Sequence, residues 1–228
     1  YVKPGNYSEE VILNKSLSLM PLIGEIGPII LSGQGKETGM TVSSDGCNLE
    51  GLTFQGYSGA AVHLLSRKNR IENNVFEDAS PAILASGSEG NSINGNLIMN
   101  CQGGVALRDA SENNSIDGNE ITSCNISIFL GEADGNSIIE NNISDAYWGI
   151  WLDNSSQVQI EGNEIQSRSH GIRLLNGSGL YVSDNLVMID DAGNSTSRAS
   201  LLANVSDVVF QRTQIDGGEI GLAALDCQ

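Results

Sequence analysis

Residues 71–76 read Ile-Glu-Asn-Asn-Val-Phe, and close variants of this hexapeptide recur along the chain. The fourth position of the copies is always asparagine: Asn74, Asn96, Asn119, Asn141, Asn163 and Asn185. Successive members of this series are 22 or 23 residues apart. A fixed period of this length is typical of a repeat architecture. We expect the asparagines to be structural, because asparagine tolerates the left-handed conformation of a tight corner and its amide can bond to its neighbours in a stack.

Each repeat carries three short apolar segments at constant distances from its asparagine. In the first copy these segments contain Ile71, then Phe76, then Ile83 and Ala85. Side chains at i and i+2 of a strand share a face, so each segment can direct its apolar side chains inward. One repeat cannot bury these faces alone, whereas stacking at the ~4.8 Å spacing of parallel strands buries all of them. The pattern predicts an all-β fold, a parallel β-helix of about nine to ten coils of about 22 residues each.

The opening segment carries a resemblance to a known family. Residues 4–19 read Pro-Gly-Asn-Tyr-Ser-Glu-Glu-Val-Ile-Leu-Asn-Lys-Ser-Leu-Ser-Leu. This run resembles the first turns of right-handed parallel β-helix repeat proteins. They include the nitrous-oxide-reductase accessory proteins, carbohydrate-binding and sugar-hydrolase β-helices, and archaeal cell-surface or sheath proteins. The resemblance covers essentially the whole chain and implies a single-stranded right-handed coil, but no one activity.

The repeats leave no room for a second domain, so residues 1–228 are predicted to form one β-helix. Within it we distinguish less regular N-terminal coils, regular coils, an inserted polar loop and a C-terminal coil, at 1–48, 49–187, 188–200 and 201–228. In the flanking coils the repeat asparagine is replaced by Leu52 and Thr213.

Charge argues against several classes of partner. The chain has 28 acidic and 11 basic residues, and a net charge of −17. Nucleic acids and anionic membranes bind basic surfaces, so we expect neither as a partner. No apolar run approaches the ~18 residues of a membrane span, so no membrane insertion is expected.

Glycosylation acceptors are dense, and they favour an extracellular or cell-surface location. Nine Asn-x-Ser/Thr triplets are present. They begin at Asn6, Asn14, Asn113, Asn125, Asn142, Asn154, Asn176, Asn194 and Asn204.

The four cysteines fall into two pairs. Cys101 and Cys124 each follow a repeat asparagine by five residues, so they occupy the same corner of neighbouring coils. Their Cα atoms should be about 5 Å apart, and we predict a disulfide between them. Cys47 and Cys227 lie near opposite ends of the solenoid and cannot pair within one molecule. They are predicted to be free or to form intermolecular disulfides.

An apolar row is predicted on the outside of the third segment. Leu84, Phe129 and Trp151 occupy its outward positions, with Tyr147 and Trp148 beside them. Such a patch indicates a protein interface or a sugar-stacking surface, although a loop could also cover it.

Carboxylates recur near the same corner in three coils, at Asp109, Glu132 and Asp153, with Arg173 nearby. The resemblance extends to polysaccharide lyases and polygalacturonases, which need clustered carboxylates with Ca²⁺ or a paired acid and base. The Asn-Thr-Asp and Arg-Ile-Lys elements that it implies are missing. We therefore expect no enzyme and no cofactor, with a Ca²⁺ site as an open alternative. Two histidines and four scattered methionines do not provide the copper ligands of an accessory role.

The main functional prediction is an extracellular structural protein. Both ends look uncapped, and the terminal cysteines lack intramolecular partners. We expect copies of the chain to assemble through their ends or sides into a surface layer, sheath or filament. The alternative is a carbohydrate-binding or polysaccharide-cleaving protein that uses the outward aromatic and acidic face.

Overall fold

The computed structural model describes residues 1–190 and 197–227. Parallel β-strands stack there into about ten turns of a right-handed solenoid, which confirms the predicted fold class. A regular coil contributes one strand to each of three parallel sheets around one continuous core. No helix in this described part is long and apolar enough to span a membrane.

We number the three sheets in the order in which a regular coil enters them. The strands of the first sheet are Ser18–Leu19, Asn48–Glu50, Arg70–Glu72, Ser92–Asn94, Ser115–Asp117, Ser137–Ile139, Gln159–Glu161, Tyr181–Ser183 and Val209–Gln211. Those of the second sheet are Gly5–Tyr7, Ile29–Ser32, Thr53–Gln55, Val75–Glu77, Leu97–Met99, Glu120–Thr122, Leu186–Ile189 and Gln214–Gly217. Those of the third sheet are Val11–Leu13, Met40–Val42, Val62–Leu64, Ile83–Ser86, Gly103–Arg108, Ile126–Gly131, Arg198–Ala203 and Ile220–Leu225. Two longer strands run through both the second and third sheets, Asn142–Asp153 and Glu164–Leu175.

The sequence period places equivalent core residues directly above one another in successive coils. Ile93 pairs with Ile71 in the coil below and with Ile116 in the coil above. In the second sheet the ring of Phe76 stacks on that of Phe54, with centroids 5.0 Å apart. All five side chains are inaccessible or nearly so. Burial of each such side chain contributes about 1.5–3 kcal/mol relative to exposure, so the repeated apolar positions hold the coils together.

The repeat asparagines form a ladder at the corner between the first and second sheets. From Asn74 to Asn185, each side-chain Nδ2 donates to Oδ1 of the next asparagine over 2.9–3.1 Å. The backbone N–H of Asn96 also donates to Oδ1 of Asn119, and Nδ2 of Asn96 donates to the carbonyl of Ile71. The buried corner therefore has its polar groups satisfied along the stack.

A second asparagine ladder, absent from the predicted features, lies at the corner that precedes the first sheet. Its side-chain amides are linked at 2.9–3.1 Å. Its members are Asn69, Asn91, Asn114 and Asn136. They are also 22 or 23 residues apart, so the period itself contained the signal.

The left-handed residue of the first ladder's corner lies one position earlier than expected. Positive φ angles occur at Asn73, Gly95, Gly118 and Glu140, and not at the ladder asparagines that follow them. The expected left-handed conformation of the ladder asparagine is therefore wrong. That residue directs both its backbone N–H and its amide along the stack, so the chain turns at the residue before it.

The coils after residue 187 keep the register of the solenoid. Val187 pairs with Ile215 across the predicted insertion. Strands Leu186–Ile189 and Arg198–Ala203 extend from both sides into the loop predicted at 188–200. The middle of that loop, 191–196, lies outside the described residues.

Candidate functional site

The outward side of the third sheet presents one row of side chains from successive coils. The pleat points the residues on either side of each member into the core. The row consists of His63, Leu84, Ala106, Phe129, Trp151, Arg173 and Leu201, each paired with the next.

The two long strands add a second row beside this one. Trp148 pairs with His170, and His170 pairs with Arg198. A register shift between Ala146 and Trp148 marks the place where the chain passes from the second sheet into the third. Trp148 consequently packs edge-on against Trp151, with ring centroids 4.7 Å apart and an interplanar angle of 86°.

Four side chains form what we call the aromatic surface: Phe129, Tyr147, Trp148 and Trp151. Phe129 and Trp151 meet edge to face with ring centroids 5.2 Å apart, and the ring centroids of Tyr147 and Trp148 are 5.7 Å apart. Tilted and edge-to-face contacts are the favoured geometries of aromatic pairs. Tyr147 is 44% exposed, whereas the other three are half-buried. The predicted residues are thus brought together on one face.

Arginine side chains cover part of the aromatic surface. The Cζ atom of Arg173 lies 4.8 Å from the ring centroid of Trp151 and 5.4 Å from that of Trp148. The Cζ atom of Arg108 lies 4.9 Å from that of Phe129. These distances are within the range of cation–π attraction. The surface is therefore a mixed arginine–aromatic surface and not a bare stacking platform.

Hydrogen-bond donors without acceptors cluster at the same place. Nε of Arg173, Nε of Arg198, and the indole Nε1 atoms of Trp148 and Trp151 are buried without a hydrogen-bond partner. Leaving a buried donor unpaired costs about 1–3 kcal/mol. Four N–H groups in two adjoining rows thus lack an acceptor in the part of the chain that the structure describes.

Two clefts are lined in part by Phe129 of the aromatic surface. The first has a volume of about 530 Å³, within the size range of small-molecule sites. Its lining includes Leu84, Gln102, Arg108, Asn125, Phe129 and Trp151. The second has a volume of about 350 Å³. It is lined by Arg108, Asp109, Phe129, Gly131, Glu132, Asp153 and Asn154.

The second cleft brings the three predicted carboxylates together. Asp109 and Glu132 lie at left-handed corners with φ angles of 56° and 54°. The carboxylate of Asp153 accepts a 2.9 Å hydrogen bond from Nδ2 of Asn176. Arg173, the fourth residue of the predicted set, lies against the tryptophans and is not part of this lining.

Both histidines are close to this face and are held toward the neutral form. Burial lowers the pKa of His63, whose Nε2 lies 3.3 Å from Oγ of Ser86. Burial also lowers the pKa of His170, and the positive charges of Arg173 and Arg198 lower it further. A neutral His170 adds no positive charge beside Arg173 and Arg198.

The predicted cysteine pair is brought together, but as two thiols. Cys101 and Cys124 are both buried and free. Sγ of Cys101 donates to the carbonyl of Met99 at 3.3 Å, and Sγ of Cys124 donates to that of Thr122 at 3.5 Å. The neighbouring Cys124 thiol, and then burial, raise the pKa of Cys101. The disulfide between them is not formed here and stays a prediction. Cys47 is buried, which disfavours the intermolecular disulfide predicted for it, whereas Cys227 is exposed.

The predicted glycosylation acceptors lie on the surface wherever the structure describes them. Asn194 lies outside the described residues. The exposed acceptors are Asn6, Asn14, Asn113, Asn125, Asn142, Asn154, Asn176 and Asn204.

The fold and this face define a right-handed parallel β-helix protein with an arginine–aromatic surface on its third sheet. Residues 26–217 match the sequence family described as "Periplasmic copper-binding protein (NosD)". The match covers most of the chain, so the protein belongs to the NosD family. No curated protein sequence matches it.

Solved structures share the fold at low sequence identity. A DFA-IIIase from Arthrobacter chlorophenolicus A6, in complex with DFA-III, matches with a TM-score of 0.61 and 14% identity. The match covers 90% of this chain and 63% of that one. The catalytic domain of a GH87 alpha-1,3-glucanase in complex with nigerose matches with a TM-score of 0.50 and 14% identity, over 97% of this chain and 52% of that one. The present chain thus spans less than two thirds of the length of either.

The family description names copper, but the described residues do not fit a copper centre. They contain no group of three or more His, Cys, Asp or Glu side chains that could hold a metal ion. Copper sites use imidazole, thiolate or thioether ligands in a defined geometry. Here the two histidines lie in different rows and coils, and His170 pairs with Trp148 and Arg198. No copper chemistry is therefore assigned to this face.

Proposed function

We propose that this protein binds carbohydrate along the outward side of its third sheet. The observation that carries the proposal is the first cleft, in which Phe129 and Trp151 stand beside Gln102 and Arg108. Aromatic side chains pack against the apolar faces of sugar rings, and a few convergent polar groups orient a ligand in such a cleft. The geometry fits a ligand with both apolar and hydroxyl-bearing faces.

The shape of the face favours an elongated ligand. The outward row from Leu84 to Arg173 crosses neighbouring coils through Ala106, Phe129 and Trp151. Four steps of the ~4.8 Å strand spacing give a length of about 19 Å. We therefore propose an oligosaccharide or polysaccharide segment as the ligand, lying along the solenoid axis.

The structural neighbours support this class of function without defining the ligand. They are carbohydrate-active β-helix enzymes, and their likeness to this chain shows the fold alone. The comparison therefore adds weight to the proposal, whereas the residues of the cleft carry it.

Binding without cleavage is proposed. Glycoside hydrolysis needs two carboxyl groups on either side of the scissile bond. Asp109, Glu132 and Asp153 line the second cleft, beside the row of rings and not across it. Incubation with polysaccharides, with and without Ca²⁺, should release no reducing or unsaturated ends. Release that disappears in Asp153→Ala would show an enzyme instead.

The binding proposal is tested by calorimetric titration with a panel of neutral and acidic oligosaccharides. Trp151→Ala should weaken binding by about tenfold or more, because stacking on an aromatic ring contributes on the order of 1.4 kcal/mol or more. Tyr181→Ala is the matched control, because Tyr181 is a half-buried aromatic residue on the first sheet. Equal affinities for wild type and Trp151→Ala would remove the proposal.

Assembly of copies is a second candidate. The last strand exposes Ile220, Leu222 and Leu225 to solvent, and Cys227 beside it is exposed. Apolar strand edges pair with other chains, and an exposed thiol can lock such a contact. The expected result is a ladder of multimers on a non-reducing gel that Cys227→Ser abolishes. A monomer in light scattering at high concentration would contradict it.

The protein is proposed to lie outside the cytoplasmic membrane. The family description is periplasmic, which supports a compartment outside the cytoplasmic membrane. A place at the cell surface, with sugars on the exposed acceptor asparagines, is the finer proposal. Protease accessibility of the protein on intact cells would distinguish the two.

A further inference from the structure

The arginines of the third sheet are unusual because they lack acidic partners in an acidic protein. The chain carries 28 acidic and only 11 basic residues. Within the described residues, however, three arginines with no ion pair lie on this sheet; the arginines that do form ion pairs are Arg67, Arg168 and Arg212. The arginines in question are Arg108, Arg173 and Arg198.

The position of Arg173 is fixed by its neighbours. Its guanidinium lies against the rings of both Trp148 and Trp151, and its Nε is buried without an acceptor among the described residues. Nε of Arg198, in the next coil, is also buried and unpaired. A guanidinium presents its N–H groups as a rigid planar fork that matches a carboxylate or a sulfate in two parallel hydrogen bonds. The buried Nε atoms are out of reach of a ligand, but the described residues form no ion pair with either guanidinium. An anion from outside the chain therefore fits the remaining N–H groups of the fork.

Neutral hydroxyl groups satisfy this arrangement less well. A hydrogen bond from a charged donor to an ionised acceptor is roughly twice as strong as one between neutral partners. His170, which lies in the same row as Trp148 and Arg198, could not supply the acceptor charge because an imidazole is either neutral or positive. No carboxylate takes part in the contacts of Arg173.

Resting on the proposed carbohydrate binding, we infer that the ligand is an acidic glycan whose carboxylate or sulfate is held by Arg173, with Arg198 as the second cation. The sugar ring that carries the charge packs against Trp151, and the neighbouring rings extend toward Phe129. Arg173 and Arg198 select the charge, whereas the aromatic surface binds the sugar.

The net charge of −17 opposes this binding only at long range. At about 0.15 M salt the screening length is about 8 Å, so distant carboxylates contribute little, and the partly buried arginine is screened much less. The second cleft places Asp109, Glu132 and Asp153 beside Arg108, and Arg173 is not part of its lining. The acidic group of the ligand is therefore expected at the Arg173 end.

The test compares matched ligands by calorimetry at about 0.15 M NaCl. The ligands are a trisaccharide of galacturonic acid, its carboxyl-reduced neutral form, and a sulfated galactan trisaccharide with its desulfated form. The proteins are wild type, Arg173→Gln, Arg173→Lys, and Arg70→Gln as the control. Arg70 is an exposed arginine on the first sheet. Melting curves confirm that each variant is folded.

The expected result is a preference of wild type for at least one acidic ligand over its neutral form by about tenfold or more. Arg173→Gln should abolish this preference, so that the acidic and neutral forms bind equally, whereas Arg173→Lys should retain part of it and Arg70→Gln should leave it unchanged. The carboxylate and sulfate arms show which anion is bound.

Three results overturn the inference, and they are distinguishable. Equal binding of acidic and neutral ligands, lost in Trp151→Ala, would leave the carbohydrate site in place without charge selection. Binding of neither kind of ligand would remove the proposed function as well. An acidic preference that persists in Arg173→Gln would also contradict the assignment.

Discussion

Replacement of Asn119 by alanine should destabilise the solenoid far more than replacement of an exposed asparagine. Oδ1 of Asn119 accepts from both the backbone N–H and Nδ2 of Asn96 at 3.0 Å. Its Nδ2 donates to the carbonyl of Ile93 and to Oδ1 of Asn141, both at 2.9 Å. Truncation leaves the buried N–H of Asn96 without an acceptor and the carbonyl of Ile93 with one donor fewer. At about 1–3 kcal/mol for each of these two buried groups, the expected loss is about 2–6 kcal/mol.

Urea unfolding followed by circular dichroism measures this loss as a change in the free energy of unfolding. Asn142→Ala is the control, because Asn142 is exposed and lies directly after a ladder asparagine. Exposed substitutions of this kind usually change stability by less than about 0.5 kcal/mol. If the two variants lose the same free energy of unfolding, the hydrogen bonds of the ladder do not stabilise the corner.

Three further predictions concern the coil junctions, the histidines and the thiols. Gly149→Ala should unfold at lower urea concentration, because a Cβ there would lie 2.5 Å from a backbone oxygen of the next coil. Because the pKa values of His63 and His170 are lowered in the folded state, the unfolded chain binds more protons below about pH 6.5. Stability should therefore be complete above that pH and fall as the pH decreases, and a slope unchanged in the double glutamine variant would contradict this. Treatment with oxidised glutathione should yield a linked peptide containing Cys101 and Cys124, whereas recovery of both as unlinked thiols would refute the disulfide.

Most of the fold could be predicted because one period encodes it. The spacing of the repeat asparagines places every regular coil, and the apolar positions at constant offsets stack as expected. The conformation of the corner could not be predicted as well. Asn73 and Glu140 adopt positive φ angles at the corner position that is glycine in other coils. Several residue types therefore serve the same turn. The second ladder from Asn69 shares the period but lies outside the most conspicuous motif.

The aromatic residues of the site were predictable, whereas its electrostatic character was not. Phe129 and Trp151 follow directly from the inward and outward alternation of the third strand. The contact of Arg173 with Trp148 depends on the register shift inside a long strand, which no local pattern reveals. Arg198 joins the cluster only because the coil after the insertion returns to register. Distances across coils of this kind depend on packing and not on spacing in the sequence.

The central claim, a carbohydrate site on the third sheet, is tested most directly by tryptophan fluorescence. The chain contains two tryptophans, Trp148 and Trp151, and both belong to the aromatic surface. Titration with an oligosaccharide that binds by calorimetry should produce a saturable change in emission with the same midpoint. Arg173→Gln should shift the midpoint for the acidic ligand to that for its neutral form. Calorimetric binding with unchanged emission would place the ligand elsewhere and contradict the account.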